Sequence, residues 1–210
     1  ASSRDVERGC ALLGVWALAA AGCQSPSGGP PLASDRYEAC TLEATTRIDW
    51  ARSHLAKEEW SQAAGYLRQA LALCPEHVAA HLLYQDMALR AGGDVAADMQ
   101  RFYADDSDQG APLRPYLQAR LAQDDDTRLK LLQEALRRDS SLYWAYLSEA
   151  RIMRALGRTA KALDALETAL AARPAFPEAR LEEAEVLTEL GRFEEGEHSY
   201  AEYLRARPLD

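Results

Sequence analysis

Three sets of residues recur along this chain with the same spacing, and that repetition leaves few folds open to it. Ala51, Ala63 and Ala70 are separated by intervals of 12 and 7; Ala150, Ala162 and Ala169 repeat those intervals, and so do Ala184, Gly196 and Tyr203. Each set is followed by Leu71, Leu170 or Leu204, and four residues later by Pro75, Pro174 or Pro208. The step from Ala150 to Ala184 is 34 residues, and Gly157-Arg158 and Gly191-Arg192 fall between the first and second slots of the last two sets. A fixed period of this length marks a stacked repeat rather than a single irregular core. Small side chains are required where two helices of one unit cross closely, and the Leu and aromatic slots fill the space around the crossing. The proline then ends the second helix, because it lacks an N–H and clashes with the preceding turn.

These residues resemble the tetratricopeptide repeat, a helix–turn–helix of 34 residues. In the same register Gln85, Ala97 and Ala104 keep the intervals with Gly92-Gly93 at the turn, and Tyr116, Arg128 and Ala135 keep them with Leu136 following. The step from Gln85 to Tyr116 is 31, so three residues are missing between Phe102 and Pro115. The spacing places units at about 44–77, 78–108, 109–142, 143–176 and 177–210 within a repeat domain spanning 35–210. No segment alternates with period 2 over β-branched residues. The expected fold is therefore all-α, a superhelical array of about five antiparallel helix–turn–helix repeats.

The first 34 residues have a different character. Arg4 and Arg8 precede an apolar run from Cys10 to Ala21, the pattern of a secretory signal over residues 1–22. Twelve residues make a helix of roughly 18 Å, too short for a ~30 Å hydrocarbon core. Ala20-Ala21-Gly22-Cys23 resembles the bacterial lipobox, which implies a lipid anchor on Cys23, although Ala20 stands where Leu is usual. Gln24, in place of the Asp that retains enterobacterial lipoproteins in the inner membrane, implies the periplasmic side of the outer membrane. Residues 23–34, rich in Pro, Gly and Ser, form a tether from that cysteine. The net charge of −9 argues against nucleic acid as a partner and against a polybasic hold on anionic lipid.

Catalytic patterns are absent: there is no phosphate loop, nucleophile elbow or zincin motif, so neither an enzyme nor a cofactor is expected. His77 and His81 lie four apart but have no Cys or carboxylate at ligand spacing, and solvent-facing turn residues are the expectation. Asp105, Asp106 and Asp108, and Asp124 to Asp126, do not supply an EF-hand loop and read as solvated turn and helix N-terminal charge. No metal site is expected. Residues 35–57 read as one helix capped by Ser34 or Asp35, with 60–73 as its antiparallel partner. Cys40 and Cys74 then fall at the same end of the hairpin, either bridged in an oxidising compartment or as two separate buried thiols.

What the family resemblance implies about function is a partner protein or peptide held on a concave face lined by the first helix of each unit. Carried onto this chain, that groove comprises Arg52, Leu82, Asp86, Leu89, Trp144, Leu147, Arg151, Arg154, Leu181 and Glu185, with Leu55, Arg90 and Arg120 beside it. An Arg-rich groove with one Trp suits a segment bearing a carboxylate and an apolar anchor; otherwise the arginines are solvated surface and Trp144 is inter-repeat packing. Repeat arrays usually end in a polar capping helix, so Phe193, Tyr200, Tyr203 and Leu204 are expected to be partly uncovered, a surface for docking or self-association. Repeats and lipobox together resemble the pilotins of type IV pili and the repeat lipoprotein of the β-barrel assembly machine. The implied function is a membrane-tethered adaptor for envelope assembly; a regulatory or sensory module for a small ligand or cell-wall fragment is the alternative.

Overall fold

A computed structural model of the chain describes residues 33–104 and 111–207. The signal segment 1–22, Cys23, most of the tether, Asp105, Asp106, Asp108 and Pro208 lie outside the described residues. Ten α-helices run in antiparallel pairs, and no strand occurs among the described residues. The pairs are α1 (Leu42–Leu55) with α2 (Trp60–Leu73), α3 (Val78–Ala91) with α4 (Gly93–Ala104), and α5 (Leu113–Leu121) with α6 (Asp125–Arg138). Then come α7 (Tyr143–Ala155) with α8 (Thr159–Ala172), and α9 (Pro177–Glu189) with α10 (Phe193–Ala206). Consecutive pairs stack, each second helix lying against the first helix of the next unit.

The period works as a packing rule. Ala51, Ala63, Ala70, Ala150, Ala162, Ala169, Ala184 and Gly196 are all buried where two helices of a unit meet. Gly196 shows how close the approach is: a Cβ there would sit 3.1 Å from the Ala184 carbonyl oxygen and 3.1 Å from Thr188 Oγ1. The starts of α1, α3 and α6 are capped by side chains that accept from orphan backbone N–H groups. Thr41 accepts from Ala44, His77 from Ala80 and Asp124 from Thr127, at 3.2, 3.1 and 2.8 Å.

Units two and three break the small-residue rule and replace it. Gln85 and Tyr116 stand in small slots, yet both are buried. The Gln85 amide reaches across to unit three, donating to the Leu117 carbonyl at 2.9 Å and accepting from Arg120 Nε at 2.9 Å. Arg128, in the third exceptional slot, turns back onto Asp125 and the Ala122 carbonyl. Helix α5 is the shortest of the ten, with Pro112 at its cap and Pro115 in its first turn. The three residues missing from the period fall on this stretch.

The expected single helix from Asp35 to Lys57 is not formed. Residues Ala33–Tyr37 make a 3-10 turn, the chain breaks over 38–41, and α1 starts at Leu42 behind the Thr41 cap. The break frees this segment to act as a clasp. Tyr37, fully buried, donates its hydroxyl to Asp139, which also pairs with Arg36. Glu38 accepts from the Tyr143 hydroxyl at 2.6 Å, and Arg173 pairs with both Asp35 and Glu38. The segment 33–40 thus ties the loops that follow α6 and α8 to the start of unit one.

The turn inside units one, two, four and five uses a positive-φ residue. Gly157 and Gly191 supply it with φ of +70° and +76°, but the same register position in unit one is Glu58, at φ +59°. A side chain pays for that conformation where glycine does not. Glu58→Gly is therefore expected to stabilise the fold by about 1 kcal/mol, a rise in Tm of roughly 2–4 °C for a domain of this size. Thermal unfolding followed by circular dichroism checks it; a lower Tm would contradict the strain.

Candidate binding face

First helices of neighbouring units are linked through charged residues at two places, α3 with α5 and α7 with α9. Arg120 on α5 pairs with Asp86 on α3 at 2.7 Å. Arg154 on α7 spans three carboxylates of α9, bonding Glu185 and reaching Glu189 at 2.7 Å and Glu182 at 3.3 Å. Arg151 joins the same Glu182. On the opposite layer Arg68 of α2 pairs with Asp98 of α4. Such exposed pairs contribute little individually to stability, but they fix the register of neighbouring helices and set the charge each face offers.

That arrangement changes the reading of the groove residues. The arginines expected to hold a partner's carboxylate already hold carboxylates of this chain, and Arg52 is taken by Asp49. Leu147 is in the core and lines nothing. Trp144 is half-buried, edge-on to Phe176 at 4.7 Å and tilted against Tyr143, which makes it part of the packing between units. Leu89 is exposed on this face, Leu82 and Leu181 are half-buried, and Asp86 and Glu185 face solvent beside their arginines. Of the C-terminal residues, Phe193, Tyr200 and Leu204 are exposed and Tyr203 is half-buried against Tyr200. The carboxylates Glu182 and Glu189 were not singled out from the sequence. They lie 31 and 35 residues after Arg151 and Arg154, close to one period, and that register could have paired them.

Cys40 and Cys74 are joined in a disulfide with Cα atoms 5.7 Å apart, so the clasp and the end of α2 share a covalent link. The histidines differ from the solvent-facing expectation. His77 caps α3, and His81 is buried with both ring nitrogens engaged: Nε2–H donates to the Pro75 carbonyl at 2.8 Å and Nδ1 accepts from the Tyr103 hydroxyl at 2.9 Å. The carbonyl can only accept, which fixes this tautomer. Among the described residues no group of His, Cys, Asp or Glu is placed to hold a metal ion, and no helix is long and apolar enough to cross a membrane.

Among the described residues, ten helices in five antiparallel pairs, three of the pairs closed by small residues, define an all-α helical-repeat protein. Models described as tetratricopeptide repeat match residues 48–112 and 153–210, together more than half of the chain. The chain belongs to the tetratricopeptide-repeat family. Its fold is similar to a thermophilic TPR protein of Thermus thermophilus, with a TM-score of 0.53 and 22% identity over 80% of this chain and 93% of that one. It is also similar to PilW, described as a widely conserved type IV pilus biogenesis factor (TM-score 0.54, 18% identity, 81% and 80% covered). A third similar structure is PilF of Pseudomonas aeruginosa (TM-score 0.54, 17% identity, 80% and 78% covered). No curated protein matches the chain.

Burial pushes the His81 imidazole down from its ordinary 6.5 to about 4, only partly opposed by its bond to the Pro75 carbonyl. Burial lowers His77 in the same direction. Between those pH values the unfolded chain binds a proton that the folded chain refuses, so stability is complete above pH 6.5 and falls as pH drops towards 4. The loss assigned to His81 is on the order of 3 kcal/mol. Urea unfolding at pH 7, 5.5 and 4.5 should show it, and His81→Gln should flatten the slope relative to the parent. Identical slopes would show that His81 is not the titrating group.

Proposed function

We propose that the chain is a membrane-tethered protein-binding adaptor of the bacterial envelope that holds its partner along the face formed by the first helices. The observation that carries this reading is that face itself. Ion pairs between units hold α3 to α5 and α7 to α9 in register, giving two pre-organised stretches of this face, on the first of which Leu89 stays exposed. Pre-organisation lowers the ordering cost that a partner would otherwise meet. The absence of catalytic patterns from the sequence agrees with a binding role, without an enzymatic step or cofactor.

Anchoring through Cys23 and residence on the periplasmic side of the outer membrane rest on the lipobox-like Ala20-Ala21-Gly22-Cys23. The Cys40–Cys74 disulfide supports an oxidising compartment, since such bonds persist there and are rare in the cytosol. The likeness to PilW, a pilus biogenesis factor by its description, supports a role in assembling a secretion, pilus or outer-membrane complex.

The test is affinity capture with the tagged full chain from detergent-solubilised bacterial envelope. Leu89→Glu places a charge at the exposed leucine, and Arg151→Glu reverses one member of the ion pairs between α7 and α9. Each is expected to reduce recovery of the captured protein at least fivefold while the helical circular dichroism stays unchanged. Undiminished recovery with both variants would remove the first-helix face as the binding surface.

A further inference from the structure

Unit four is a template against which the exposed surface of unit five can be compared position by position. By the 34-residue period, Leu163, Leu166 and Leu170 on α8 correspond to Glu197, Tyr200 and Leu204 on α10, and Thr159 corresponds to Phe193. The three leucines are at most 6% exposed, with α9 packed against their helix. On α10 the matching surface is bare: Phe193 is 63%, Tyr200 47% and Leu204 38% exposed, and Glu197 is exposed as well. Between α9 and α10 lies an open groove of about 740 Å³, floored by Ala184 and Gly196 and flanked by Leu181, Phe193 and Tyr200. Its floor is small for the same reason that the helix crossings are: nothing larger fits beneath a helix.

The charge of this end is one-sided. Residues 177–207 contain nine Glu and four Arg, accounting for −5 of the chain's −9. On the groove wall Glu185 and Glu189 are met by Arg154, whereas Glu197 makes no ion pair among the described residues. Glu197 replaces a leucine of the template and stands one helical turn from both Phe193 and Tyr200.

We propose that this groove docks an amphipathic helix of a partner protein, with an apolar stripe laid across Phe193, Tyr200 and Leu204 and a Lys or Arg set against Glu197. The helix would take the place that α9 takes on α8, and its cation would meet a carboxylate and two aromatic faces, which also attract cations. An i, i+3, i+4, i+7 stripe is what a groove between helices reads. A second copy of this chain is the weaker fit. Its outermost helix, α1, exposes Leu42 and Trp50, but its Arg47 and Arg52 are already bonded to Glu43 and Asp49. The proposal rests on the reading of the chain as a protein-binding scaffold and adds to it a second site and a partner chemistry.

The probe is a fluorescein-labelled synthetic peptide copying residues 176–191, the helix that serves this role on α8, with Glu178, Glu182, Glu185 and Glu189 all replaced by Lys. Fluorescence anisotropy with the full chain should show it binding at least tenfold more tightly than the unaltered acidic peptide. Glu197→Lys should weaken it at least fivefold, and Phe193→Ser with Tyr200→Ser should abolish it. These side chains are exposed, so the circular dichroism of the variants should match the parent. Equal binding of the two peptides, or unchanged binding to the Phe193→Ser, Tyr200→Ser variant, would overturn the proposal. Self-association in sedimentation that Tyr200→Ser removes would also overturn it, assigning the groove to a second copy. Peptide failure alongside a working Leu89 face in envelope capture would sink this site and leave the scaffold reading standing.

Discussion

The close crossing of two helices within each unit is the constraint on which the other features rest. Two backbones approach only where side chains are nearly absent, and Ala51, Ala150 and Ala184 on the first helices meet Ala63, Ala162 and Gly196 on the second ones. Once that contact is fixed, the orientation of each hairpin is fixed, and with it the side of the next unit that must be apolar. Leu67 and Leu166, fully buried on α2 and α8, are consequences of the same geometry. At Gly196 a Cβ would lie 3.1 Å from both the Ala184 carbonyl oxygen and Thr188 Oγ1, so a neighbour would have to give by a few tenths of an ångström.

Much of this was legible because it is local and periodic. The three regular units, their turns and their terminating prolines follow from intervals of 12 and 7, and the helices stand where that register puts them. What the spacing could not convey was how the irregular units survive. Gln85 and Tyr116 read as faults in the pattern, whereas Gln85 is a bridge to the Leu117 carbonyl and Arg120 in the next unit. The clasp was illegible for a different reason. Its partners, Asp139, Tyr143 and Arg173, lie more than 100 residues from it, and no periodicity links them. The expected helix from Asp35 failed on the same ground, because these distant contacts hold residues 33–40 outside a helix that local propensity favoured.

Charge tells a similar story at the binding face. Residue types alone suggested a basic groove inside an acidic protein. Arg151 and Arg154 instead serve the chain's own α9, and what they leave open is the acidic, aromatic surface of the last unit. Arginines one period before glutamates on the next first helix are ion-pair candidates before they are ligands. The same comparison of units exposed α10: positions that are leucine and covered in unit four are glutamate, tyrosine and exposed leucine in unit five.

The clasp, the disulfide and the two sets of ion pairs between first helices brace the array, and a braced face is what a protein-binding scaffold needs. Site-specific photo-crosslinking of the captured partner tests this most directly. A benzophenone amino acid placed at Leu89 on α3 or at Thr188 on α9 is predicted to trap the partner. The same group at Lys161 or Glu167, exposed on the second-helix layer at α8, is predicted not to. Adducts forming equally from both layers, or only from α8, would contradict the account.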